Sequence, residues 1–216
     1  MFSKTTAGVV VATAFAYAIL RYNIIKGVSW EHFPLLISNK AIALSAVGLI
    51  ALSYILGSLA RFFPRTFSAT LGARKFFGLT GFGLAAMHGL MSLLLFSPKN
   101  YPKFFLEDGS LSLTGELSML FGVLAFFVFS IVAYTSIPVI VAKMDKHIWH
   151  RAQKLGYLGL LLTLLHVVSM GFSGWLNTAG WPGGLLPISL LAAIILAFAL
   201  LFKLIALVTT RAPAKN

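Results

Sequence analysis

The chain has 216 residues, 59% of them hydrophobic and 10% charged, with a formal charge of +12 and no cysteine. A soluble domain is roughly half apolar and a quarter charged, so this composition excludes an ordinary soluble fold. The missing cysteine excludes disulfides, thiolate metal sites, iron–sulfur clusters and covalently attached c-type haem within the chain.

The apolar residues gather in runs long enough to cross a hydrocarbon core, which takes roughly 20 residues as helix. In chain order the runs cover 7–25, 41–60, 76–96, 115–142, 155–172 and 187–208. The apolar part of the first stops at Arg21-Tyr22-Asn23 without a small-residue cleavage pattern, so a retained helix is expected rather than a signal peptide. The third is rich in glycine and carries His88. The fourth is long and contains Pro138, which removes a backbone donor, so it is expected to tilt or to kink near its end. Glu116 falls in its first turn, a favourable place for negative charge. The fifth carries His166. The predicted fold class is all-α: a six-helix integral membrane bundle, with residues 1–216 forming a single transmembrane domain.

Charge sorts the connections. Lys4, Arg61, Arg65, Arg74, Lys75, Lys143, Lys146, Arg151, Lys154, Lys203, Arg211 and Lys215 fall on one side, with Asp145 as the only acid. Arg21, Lys26, Lys40, Lys99 and Lys103 fall on the other, with Glu31, Glu107, Asp108 and Glu116. Basic residues stay cytoplasmic, so both termini are expected on that side, in a bacterial inner membrane. The same rule accounts for the net charge. No aromatics interleave with the basic residues to stack bases, so nucleic acid is not an expected partner; membrane lipid is. Trp175 and Trp181 in the 173–186 loop read as interface anchors.

His88 and His166 are the two of five histidines that lie inside apolar runs, where an ionisable residue marks a functional site by default. Counted from residues 76 and 155 they lie 12 and 11 residues in. At 1.5 Å per residue both are about 17–18 Å from the cytoplasmic boundary. Two imidazoles at one height can hold one metal from opposite sides. Gly81 and Gly159 each precede a histidine by seven residues, close to two turns, and so share its face. Glycine there either lets helices approach or leaves room for a flat ligand. An intramembrane histidine can equally serve as a hydrogen-bonding link between helices, so spacing leaves both readings open. A bare metal fits less well, because zinc wants more ligands and the spans offer no carboxylate at that depth.

Two segments carry a resemblance. One is Gly72-Ala-Arg74-Lys75-Phe-Phe-Gly78-Leu leading to Ala85-Ala-Met-His88. The other is Trp149-His-Arg151-Ala-Gln153-Lys154-Leu155-Gly-Tyr157 leading to Leu164-Leu165-His166, preceded by Tyr134-Thr135-Ser136. Over roughly residues 41 to 172 the chain resembles the ferric-reductase-like transmembrane family. That family includes the b-haem membrane subunit of the periplasmic methionine-sulfoxide reductase system and, more distantly, the membrane parts of NADPH oxidases. The resemblance implies a haem b held between the third and fifth helices, with His88 and His166 as its iron ligands. Relatives usually carry another histidine where Gln153 stands, and two-haem relatives carry one near positions 74 and 75, here Arg and Lys. One haem is therefore expected. His147 and His150 are read as solvated loop residues rather than ligands of a second.

The expected activity is transmembrane electron transfer, as a subunit of an oxidoreductase, from a cytoplasmic-side donor to an outer-side acceptor protein. The run Gly78-Leu-Thr-Gly81-Phe-Gly83 lies inside a membrane span and is no dinucleotide fingerprint, so the donor is expected to be a separate flavoprotein, a bound flavin such as FMN, or a quinol. Arg74, Lys75, Arg151, Gln153 and Lys154 are candidates for contact with a flavin phosphate or an acidic partner, although basic topology alone explains such a cluster. Lys99, Tyr101 and Lys103 could meet haem propionates, and read equally well as ordinary loop residues. Two other classes stand beside this one. A non-catalytic membrane subunit would use its small and aromatic residues to pack against partners. A transporter would need more polar residues along a midplane path than these spans provide.

Overall fold

The computed structural model describes residues 2–209, so Arg211 and Lys215 of the basic tail lie outside the described residues. Among those described, six helices are long and apolar enough to cross a membrane. We label their α-helical bodies α1 (Phe2–Ala18), α2 (Ser38–Phe62), α3 (Ala73–Leu95), α4 (Leu113–Tyr134), α5 (Lys146–Leu176) and α6 (Ile188–Thr209). A wider π-type turn, Ile19–Ile25, prolongs α1, and another, Phe33–Ile37, leads into α2.

The second span is the axis of the bundle. Two thirds of its apolar window is buried inside the protein, against 28% or less for each other span, as expected if the others turn a face to lipid. Helix α2 packs chiefly against α3, α6 and α1, while α4 packs on α5 and α5 on α6. Helices α3 and α4 are consecutive, yet they touch little. The bundle is therefore two tight helix pairs, α2/α3 and α4/α5, joined through α6, with room between the pairs.

Two boundaries differ from the sequence expectation. Helix α4 ends at Tyr134, not near residue 142, and a separate short helix, Pro138–Lys143, follows. Proline forces the residue before it into extended backbone, and Ile137 has φ −69° and ψ 129°. The Thr135 hydroxyl donates back to the Ile131 carbonyl at 2.9 Å and helps close the last turn. Helix α5 starts earlier than expected, at Lys146. Asp145 is the reason: its carboxylate accepts from the backbone N–H of His147 at 2.8 Å and of Ile148 at 3.2 Å, an N-cap. His147 and His150 therefore lie on the first turns of α5 rather than in a loop, and both side chains are exposed.

The start of α5 is tied to the end of α4. The Trp149 indole donates to the Thr135 carbonyl at 3.1 Å. The Gln153 amide donates to the Val132 carbonyl at 3.3 Å and reaches the hydroxyls of Thr135 and Ser136 at 3.1 and 3.2 Å. These bonds occupy groups that a helix end leaves unpaired. At the other end of the bundle the Trp175 indole donates to Ser189 and the Trp181 indole to the Gly174 carbonyl, each at 3.0 Å.

Candidate functional site

The room between the helix pairs is a cavity of about 580 Å³ lined by all six spans and by Tyr101 and Phe104 of the 97–114 loop. It lies away from the end that carries Arg61, Arg74, Lys154 and Lys203, none of which lines it. Its wall is largely apolar, with Val47, Ile50, Phe82, Phe126, Phe129 and Val167 among the lining residues. His88 and His166 both line it.

Each imidazole is held by its Nδ1. In His166 that nitrogen lies 2.7 Å from the backbone carbonyl of Ser118. A carbonyl can only accept, so Nδ1 carries the proton and Nε2 keeps its lone pair. The Ser118 hydroxyl stands 3.2 Å from the same nitrogen. In His88 Nδ1 lies 2.7 Å from Oδ1 of Asn39, which imposes the same tautomer. The Asn39 amide is fixed in turn, because its NH₂ donates to Ser92 at 2.9 Å. Asn39 and Ser118 are themselves buried. Neutral imidazoles with Nδ1–H tied down and Nε2 free are what a metal-ligating histidine requires.

Depth needs correcting by the true helix starts. His88 is fifteen residues from Ala73 and seven from Leu95, and His166 is twenty from Lys146 and ten from Leu176. At 1.5 Å per residue His88 lies about 22 Å from the start of α3 and about 10 Å from its end. The pair sits in the half of the bundle away from the basic end rather than at mid-depth.

The expected space opposite Gly81 and Gly159 is occupied by protein. A Cβ on Gly81 would stand 2.8 Å from Ile50 and 3.1 Å from the Ala46 carbonyl, so this glycine lets α3 approach α2. A Cβ on Gly159 would stand 2.8 Å from the Phe129 ring, which itself lines the cavity. Neither glycine lines the cavity; Gly89 and Gly122 do. Gly122 is the one that faces a histidine, since a Cβ there would lie 2.9 Å from Nδ1 of His166. Replacing Gly122 by valine is expected to push the imidazole off the Ser118 carbonyl. Ligand affinity at the cavity, read by titration of the purified protein, should fall roughly 10–100-fold, the usual scale for losing such an orienting contact.

The remaining candidates divide. Arg74 Nε donates to the Ser53 carbonyl at 2.8 Å, and its guanidinium covers Gly57. Gln153 is committed to the α4–α5 junction. Lys75, Arg151 and Lys154 are exposed. Lys99 and Lys103 are exposed and do not line the cavity, whereas Tyr101 does. Burial pushes the Tyr101 phenol above its usual range, and the neighbouring Asn39 and Ser92 side chains partly offset this.

Between the basic end and the cavity the interior is filled. Phe77 is fully buried, and Tyr54 packs edge-on to Tyr157 with centroids 4.8 Å apart. Sequence reasoning missed Asn39, Ser92, Ser118 and Lys40 as site residues. Ser92 had a local signal, one helical turn after His88. Asn39 and Ser118 become visible only when four helices are brought together.

The described chain is thus an all-helical, multi-pass membrane protein whose apolar cavity is flanked by two preoriented histidines. Residues 42–164, more than half of the chain, match the model of the ferric reductase like transmembrane component, and the chain belongs to that family. Over 208 aligned residues it is 26% identical to Metalloreductase STEAP2 of Mus musculus and 26% identical to Metalloreductase STEAP2 of Homo sapiens. Each alignment covers 80% of this chain and 42% of the relative, so the chain spans less than half the length of these curated relatives.

Proposed function

We propose that the chain is a membrane b-type cytochrome that carries electrons from a donor at its basic end, through one haem held by His88 and His166, to an acceptor at the opposite end. The observation that carries this reading is the pair of imidazoles lining one cavity, one from each helix pair, each with Nδ1–H bound to an acceptor and Nε2 left as a lone pair. Family membership and the likeness to proteins named metalloreductases support an oxidoreductase role.

The residues present fit haem b. Among the described residues no three histidine, aspartate or glutamate side chains cluster as a metal site, so a bare ion would find two ligands only, whereas a porphyrin brings four of its own. The cavity volume falls within the roughly 300–1,000 Å³ usual for cofactor sites. His88 and His166 would hold the haem, which when bound would supply a one-electron redox centre suited to electron transfer.

The chain's own residues do the rest. His88 and His166 bind. Asn39 and the Ser118 carbonyl orient the two rings and raise their donor strength. Phe82, Phe126 and Phe129 on the cavity wall limit water and lower the local dielectric, which tunes the potential. The packed interior around Phe77, Tyr54 and Gln153 supports a single haem. The positive-inside rule makes the basic end cytoplasmic, with both termini there. Lys75, Arg151 and Lys154 are exposed at that end to meet a flavin phosphate, a quinol site or an acidic donor protein. Arg74 and Gln153 contribute by holding the helix ends in place.

The test is an absorption spectrum of the purified full chain, oxidised and then reduced with dithionite. A Soret band with sharp reduced α and β bands, at one haem per chain, is expected; a colourless folded protein contradicts the reading. Asn39→Leu should retain the haem but loosen it roughly 10–100-fold, because His88 loses the acceptor that fixes its ring.

A further inference from the structure

Asn39 holds His88, and the next residue, Lys40, lines the same cavity. Ala43, Leu44 and Val47 line it too, at the i+3, i+4 and i+7 spacing that places them on the Lys40 face of α2. Lys40 lies ten residues into the continuous helical segment Trp30–Phe62, beside Asn39, which meets His88 about 10 Å from the end of α3.

An ammonium on the wall of a largely apolar cavity is costly unless it is paired. The charged side chains that act on Lys40 are Lys26 and Arg21, both cations. Its nearest described aromatic partner is the Tyr22 ring, with Nζ 5.5 Å from the centroid, and that ring already has the Arg21 guanidinium at 5.0 Å. The four acids predicted for this side of the chain lie at positions 31, 107, 108 and 116, all exposed and none lining the cavity. The cavity thus has a cation on its wall with no anion supplied by the described protein.

We infer that Lys40 is the counter-ion for a carboxylate of the cavity's ligand, which on the cytochrome reading above is a haem propionate. The two histidines grip the centre of the ligand, and Lys40 sets its rotation in the plane by holding one acidic edge. A porphyrin without free carboxylates gains nothing from Lys40. This requirement separates an ion pair from simple packing by the lysine stem.

The experiment loads the full chain in membranes with protohaem IX or with its dimethyl ester. Loss of each to an excess of a haem-scavenging apoprotein is followed by decay of the Soret band. Lys40→Met should speed protohaem loss tenfold or more, Lys40→Arg less than threefold, and neither should change loss of the ester. The band of Lys40→Met loaded with ester also shows that the variant folds. Equal acceleration for both porphyrins, or none for protohaem, overturns the assignment of Lys40 and leaves the cytochrome reading standing. A wild-type chain that takes up neither porphyrin, or that purifies with a lipid in the cavity instead, overturns the cytochrome reading and this inference with it.

Discussion

Replacing His88 or His166 by alanine is expected to abolish the Soret band of the purified protein while leaving its helical content intact. On the proposed reading each ring is one of two protein ligands, and no third candidate lies nearby to replace it among the described residues. Both rings lie at the edge of a cavity rather than inside the packing between helices, so removing one enlarges a space already present. Circular dichroism separates loss of ligand from loss of fold. Glycine in place of either histidine gives a sharper form of the test. Added imidazole should enter the vacated volume and restore the two-nitrogen spectrum, since the Ser118 carbonyl or Asn39 remains to orient it. A variant that keeps its full haem spectrum without added imidazole would exclude that histidine as a ligand.

Gly156→Leu should have the largest effect on stability of any single change in the interior near the basic end. The Tyr54 hydroxyl sits against Gly156, inside the space a Cβ would need. Tyr54 cannot swing aside easily: it is buried, and the Tyr157 ring packs edge-on against it. Overpacking a filled core costs about 1–3 kcal/mol, and here a whole side chain is added with α2 and α5 held on either side. Thermal unfolding in detergent should show a clear drop in midpoint. Gly83→Leu, where a Cβ meets nothing within 4 Å, serves as the neutral control. Combining Tyr54→Ala with Gly156→Leu should recover part of the loss, because volume removed from α2 accommodates volume added to α5. No recovery would mean that the glycine serves some need other than this contact.

The six-helix organisation was legible because hydrophobic length is a local property. A run of about 20 apolar residues must form its backbone hydrogen bonds internally in a membrane, whatever surrounds it. His88 and His166 stood out for the same reason, since an ionisable group in such a run is conspicuous by composition alone. Helix ends were less legible. The break after Tyr134 and the start at Lys146 depend on Pro138 and on the Asp145 cap, short-range signals hidden in a long apolar stretch.

The meaning of the glycines could not be read from spacing. Gly81 and Gly159 share a face with their histidines along the helix, but a helix face is wide, and Ile50 and Phe129 cover the parts these glycines expose. Gly122, which has no sequence relation to His166, is the residue beneath it. Gln153 likewise stands where relatives carry a histidine, and its amide instead closes the end of α4.

The two lone histidines, the absence of thiols and the sorting of charge are set by the chain's composition and order, because each is a statement about which side chains exist at which depth. The tautomer of each ring, the cavity between them and the cation on its wall are set by tertiary structure. Asn39 comes from α2, Ser118 from α4, His88 from α3 and His166 from α5. Hydrogen bonds reach about 3 Å, so only the packing of four helices could decide which nitrogen of each imidazole is left free.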